Sequence, residues 1–155
     1  MSFVFGIILF AGIIWYFGIF AEKKQTKKVR KQIVSGNKDF LVHWTYDPAI
    51  NLAEFQDDNG GYRLYKNNLT YVKEVYICSD GILIGEDLFI SWKRYSQFRD
   101  LRITTGEHPC VIFIIEYKVG QFDNVVKLLL PIPKGKELEA VSVLDRLVGT
   151  VKYDY

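Results

Sequence analysis

The first twenty residues constrain this chain more than any later stretch. From Phe3 to Phe20 no side chain is ionisable apart from the Tyr16 phenol, and Lys23, Lys24, Lys27, Lys28, Arg30 and Lys31 follow against a single Glu22. Eighteen residues wound as a helix reach about 27 Å, close to the roughly 30 Å hydrocarbon core of a bilayer. A helix is the only single-segment conformation that satisfies its own peptide groups in hydrocarbon. Trp15, Tyr16 and Phe20 sit beside the charged border, where amphipathic rings suit the headgroup level. Cations concentrated on that border orient the N-terminus outward. The expectation is a single-pass membrane protein with its C-terminal domain in the cytoplasm and the lipid bilayer as a partner.

Two other readings of the run fit less well. A cleaved leader carries its positive charge before the apolar run and a small-x-small site after it; here the charge follows, and Phe20-Ala21-Glu22-Lys23 is a poor cleavage context. A buried core helix would be striped rather than apolar all round. Gly6, Gly12 and Gly18 recur every six residues, which does not match the four-residue spacing of a helix-dimerisation face.

The sign of the charge reverses after the collar. From Gln32 onward 14 of the 20 Lys and Arg remain against 17 of the 18 Asp and Glu. A nucleic-acid binder carries a basic face on its folded domain, and no such surplus exists here. The collar reads as a topology signal and as an attraction for anionic headgroups, worth about 1 kcal/mol per cation near the surface. The division expected is a transmembrane helix over 1–21, a basic stem over 22–38 and a folded domain over 39–155, long enough for one core without disulfides. Cys78 and Cys110 each lie in an apolar, strand-like run and read as reduced, buried hydrophobes.

Alternation over Asp39–Tyr46 puts Phe40, Val42 and Trp44 on one face of a strand. Asp47-Pro48 reads as a helix start, an acceptor followed by a proline at the first helical position. That short helix would end at Asp57-Asp58-Asn59-Gly60-Gly61. Strands are expected over 70–78, 82–90, 92–104, 110–119 and 124–132, with turns at Ser79-Asp80-Gly81, Gly85-Glu86-Asp87 and Thr105–Pro109. The period then lengthens to three and four residues through Leu138, Val141, Leu144 or Val148, and Val151, the apolar stripe of a closing helix. The fold class expected is α+β: the membrane helix, a small antiparallel barrel or half-barrel, and a C-terminal capping helix.

Several phrases resemble those of YcxB-like bacterial membrane proteins: His43-Trp44-Thr45-Tyr46 before a short helix, Ser79-Asp80-Gly81-Ile82, Ile90-Ser91-Trp92, and Leu130-Pro131-Ile132-Pro133-Lys134 before an acidic helix. The similarity covers roughly residues 40–150. It implies a domain like the bacterial pleckstrin-homology fold and a membrane-tethered scaffold or sensing module, which places the expected single-pass anchor in a bacterial plasma (inner) membrane.

No reaction centre stands out. His43, His108, Cys78 and Cys110 lack the close C-x₂-C or H-x₃-H spacings of structural zinc sites. There is neither a G-x-S-x-G elbow nor a phosphate loop. The acidic pairs Asp57-Asp58 and Glu86-Asp87 read as solvated turn residues. No catalytic residue, metal ligand or cofactor is assigned. The one candidate strip runs from Trp92 to Arg102, where Lys93, Arg94, Arg99 and Arg102 interleave with aromatics. Such a strip would grip an anionic headgroup or a membrane-protein partner; the plainer alternative is a solvated edge strand whose cations discourage aggregation. The function expected is a membrane-anchored, non-catalytic binding or regulatory module. Behind it stand a structural subunit of a membrane or envelope complex and, last, a tethered enzyme.

Overall fold

The structure is a computed structural model, and it describes residues 23–56, 66–93, 96–119 and 122–151. Residues 23–34 form helix α1. Strand β1 spans Val42–Ile50, with Val42 and Trp44 turned inward. A 3₁₀ turn follows at Leu52–Phe55, and a short helix α2 covers Lys66–Leu69. Strands β2 (Val72–Ile77), β3 (Gly81–Ile84) and β4 (Leu88–Ser91) join β1 in an antiparallel sheet of order β1-β2-β3-β4. Strands β5 (Ser96–Ile103), β6 (Cys110–Val119) and β7 (Phe122–Pro131) make a second antiparallel sheet, and helix α3 spans Glu137–Val151.

One apolar cluster joins the two sheets and α3. It includes Trp44, Val75, Ile77, Ile82 and Ile84 from the first sheet, Phe113, Ile115, Leu128 and Leu130 from the second, and Ala140, Val143 and Leu147 from α3. The opposite face of the first sheet is covered by α1, whose Val29 and Ile33 pack on Cys78 and Leu83. With both faces covered, all four residues of β3 are buried, which explains its unbroken apolar sequence.

Gly81 starts β3 for lack of a side chain. A Cβ there would lie 2.5 Å from the Ile90 carbonyl oxygen and 2.6 Å from the Phe89 ring. Its φ is not positive, in contrast to Gly85, which turns β3 into β4 at φ +57°.

Four expectations are corrected. The single bent barrel is a mostly-β domain of two separate sheets. At the break, the Lys93 N–H goes to Ser91 Oγ, and the Trp92 indole N–H goes to the Ser79 carbonyl at 2.8 Å. The Trp92 ring is buried against Phe98 and Phe113, so the ladder stops at Ser91 and the chain crosses to the second sheet. Of the strand expected over 92–104, Ser96–Ile103 is β5, and Trp92 and Lys93 lie outside any strand.

Asp47-Pro48, joined by a cis peptide bond, starts no helix; β1 runs through it to Ile50. The pairing with β2 is irregular between Thr45 and Ile50, and a proline in such a bulge on an edge strand forfeits no ladder bond. The helix cap is Asn51, whose side chain accepts from the Ala53 N–H.

The closing helix is rotated from its expected phase. Leu138 and Val141 are 86% and 47% exposed, while Ala140, Val143 and Leu147 are buried; Leu144 and Val148 of the expected stripe are half-buried against the core. The buried Trp44 indole donates to Glu139 Oε2 at 3.0 Å, and this bond sets which side of α3 meets the core.

The membrane reading is also corrected. Among the described residues no helix is long and apolar enough to cross a membrane, so a single-pass protein of the inner membrane finds no support. The run Phe3–Phe20 that suggested it lies outside the described residues. Helix α1, in the basic stem after that run, is amphipathic and folds against the first sheet. The turn expected at 57–61 lies outside the described residues as well.

Candidate functional site

The irregular stretch of β1 leaves a cleft between itself, α2 and the β3–β4 turn. The cleft has a volume of about 1020 Å³ and opens to solvent. Asp47 comes from the bulge, Glu74 from β2, and Glu86 and Asp87 from the turn around Gly85; among the described residues of the lining, Lys73 is the one cation. Among the described residues, four carboxylates outnumber the Lys73 ammonium and the Arg30 guanidinium beside them, which makes the cleft acidic.

The carboxylates differ in their surroundings. Glu74 Oε2 lies 2.9 Å from His43 Nε2, and its other oxygen lies 3.9 Å from an Arg30 nitrogen. The same Arg30 nitrogen approaches Glu86 at 3.1 Å. The His43 ring stacks on Tyr76 at 4.0 Å with planes 2° apart, and Phe40 packs edge-on against Tyr76. This fixes the imidazole against Glu74. Burial and the neighbouring Glu74 charge raise the Tyr76 phenol above its ordinary range, with Arg30 opposing. Asp47 and Asp87 are exposed and take part in no ion pair among the described residues. Opposite them, the Lys73 ammonium sits 5.6 Å from the centroid of the Tyr71 ring, which is itself 70% exposed.

The cations singled out in the sequence are dispersed. Lys93 is exposed at the end of the first sheet, 3.9 Å from Asp80, whose carboxylate is held at 2.8 Å by Lys38. Arg94 lies outside the described residues. Arg99 is bonded to the buried Glu116 of β6, and Arg102 pairs with Asp100 at 3.1 Å. Three of the four thus have carboxylate neighbours in the chain, and Trp92, which headed the strip, is in the core. Of the collar, Arg30 turns toward the first sheet, whereas Lys23, Lys24, Lys27, Lys28 and Lys31 are exposed on α1.

The nucleophiles are poorly placed for reaction. Burial raises the Cys78 thiol to about 11 and lifts that of Cys110 as well, so both stay protonated near neutrality. The cleft residues escaped the sequence reading because Asp47 looked like a helix cap and Glu86-Asp87 like solvated turn residues. Their convergence depends on the pairing of β1 with β2, which sets Thr45 opposite Glu74, and no local pattern reports that.

The class that these elements define is a small mostly-β domain of two antiparallel sheets with a C-terminal helix. No family model, curated protein or solved structure matches the chain, so the YcxB-like resemblance rests on its sequence phrases alone.

Proposed function

We propose that the chain is a non-catalytic binding module whose acidic cleft receives a cationic segment of a partner protein. The observation that carries this reading is the pair of carboxylates, Asp47 and Asp87, that form no ion pair among the described residues and face an open cleft already holding one ammonium over an aromatic ring. Carboxylates supply charge-assisted acceptors, and an exposed tyrosine face adds a cation–π contact. The protonated thiols, together with a histidine engaged by Glu74 and Tyr76, support binding over covalent chemistry. The cleft suits a lysine- or arginine-bearing segment better than an anionic headgroup, which its own charge would repel.

Titration with a lysine-rich synthetic peptide tests the reading. Replacing Asp47 and Asp87 together by Asn should weaken binding about five- to tenfold. Raising the salt should weaken binding to the parent chain and narrow the gap to the variant. Equal affinity of parent and variant at low salt would overturn the proposal.

A further inference from the structure

The lysine face of α1 and the acidic cleft are neighbours on one surface. Arg30 links them, since it belongs to α1 and reaches Glu74 and Glu86 in the cleft wall. Thr26, Val29 and Ile33 turn toward the first sheet, which leaves five exposed lysines on the remainder of the helix. None of the five forms an ion pair among the described residues. From Lys23 to Lys31 they extend over about 12 Å of helix, with i, i+4 neighbours roughly 5–6 Å apart.

A surface with a positive half beside a negative half is complementary to itself after a two-fold rotation. We infer that the cationic segment is α1 of a second copy of this chain, each copy laying its lysine face across the other's cleft in an isologous dimer. This rests on the reading of the cleft given above and names its occupant. Two contacts inside the chain show the same chemistry. Arg30 of α1 already meets two of the four cleft carboxylates, and Lys73 already seats an ammonium over Tyr71 beside them. The second copy adds cations of the same helix to the two carboxylates that Arg30 leaves free. A nucleic acid or an anionic vesicle would be drawn to the lysines, but the cleft beside them would repel it. A second copy satisfies both halves at once.

Charge exchange on the full-length chain tests the dimer. One variant carries Asp47→Lys with Asp87→Lys, and the other Lys24→Glu, Lys27→Glu and Lys28→Glu; none of these side chains is buried. The parent chain should sediment as a dimer at low salt, with a dissociation constant raised at least tenfold on the order of 0.5 M salt. Each variant alone should be monomeric, and an equimolar mixture should restore a one-to-one heterodimer. Circular dichroism matching the parent would show both variants folded. A parent chain monomeric at every salt concentration, or a mixture that stays monomeric, overturns the inference. If the lysine-rich peptide still binds at Asp47 and Asp87 in that case, the cleft reading survives and only its occupant is wrong. Loss of anionic-vesicle or nucleic-acid binding in the lysine variant, with no change in oligomeric state, would assign the lysines to that other surface and also overturn the dimer.

Discussion

The side chain of Gln56 acts as a short piece of β-strand for Leu129. Its Nε2 donates to the Leu129 carbonyl at 2.8 Å, and its Oε1 accepts the Leu129 N–H at 3.0 Å. Leu129 lies on β7, an edge strand, and two positions further along the Tyr46 hydroxyl donates to the Pro131 carbonyl. Side chains from the β1 region therefore cap an edge that would otherwise present bare peptide groups. Burial lifts the Tyr46 phenol well above its ordinary range and keeps that donor protonated. Gln56→Ala leaves both peptide groups of Leu129 without the amide and should cost about 1–3 kcal/mol. Urea denaturation with an unchanged slope and a lowered midpoint is the expected result; a midpoint within error of the parent would remove this role from Gln56.

Gly81 and Gly85 make a contrasting pair. At Gly81 an added methyl meets backbone oxygen and a packed ring, so Gly81→Ala should destabilise by about 1–3 kcal/mol through overpacking. At Gly85 there is open space but φ is +57°, so Gly85→Ala should cost about 1–2 kcal/mol from backbone strain alone. Trimming Phe89 to Leu should relieve part of the first cost and none of the second, which a double-mutant cycle reads directly.

Helix α1 covers Cys78, which is fully buried, and the cluster beneath it is thin. Ile33→Ala should weaken that docking by about 2 kcal/mol and speed labelling of Cys78 by a thiol reagent, with Cys110 as the internal reference. Docking should also be pH-dependent. The covered thiol titrates near 11 against an ordinary 9.0, so the uncovered form ionises first. The contribution is complete below pH 9.0 and is lost as pH climbs through about 11. Labelling no faster in Ile33→Ala than in the parent would contradict the cover.

Glu139 couples α3 to both sheets' shared core. Its bond from Lys136, and secondarily the one from the Trp44 indole, hold its carboxyl below the usual range, with burial opposing. A lowered native value stabilises above the ordinary carboxylate range and fades as pH falls through the native one. Glu139→Gln should therefore show a smaller loss of melting temperature between pH 7 and pH 3 than the parent. Parallel pH profiles would show that this carboxylate does not couple α3 to the core.

On α3 the two candidate faces separate cleanly. Leu138→Gln should change stability by no more than about 0.5 kcal/mol, because Leu138 is almost wholly exposed. Leu147→Ala should cost about 2–5 kcal/mol. Thermal or urea melts of the two variants decide which helix face is inside.

What the sequence determined by itself was local. Two-residue alternation placed Val42 and Trp44 inward, although Phe40, expected on the same face, is exposed ahead of β1; turn chemistry placed the bends at Ser79–Gly81, Gly85–Asp87 and Thr105–Pro109, and a change of period announced the final helix. These depend on neighbours within a few positions, so a linear pattern carries them. Tertiary structure decided the rest. Leu138 and Ala140 both fit a helical period, and the need of a buried Trp44 indole for an acceptor chose between them. Asp47-Pro48 has the residues of a helix cap, yet pairing with β2 kept it in a strand. The strip at 92–102 was dispersed, with its head Trp92 in the core and Arg99 and Arg102 on β5 of the second sheet. Asp47, Glu74, Glu86 and Asp87 came together only because two strands pair across a long separation, and charge at such distances leaves no periodic trace in a sequence.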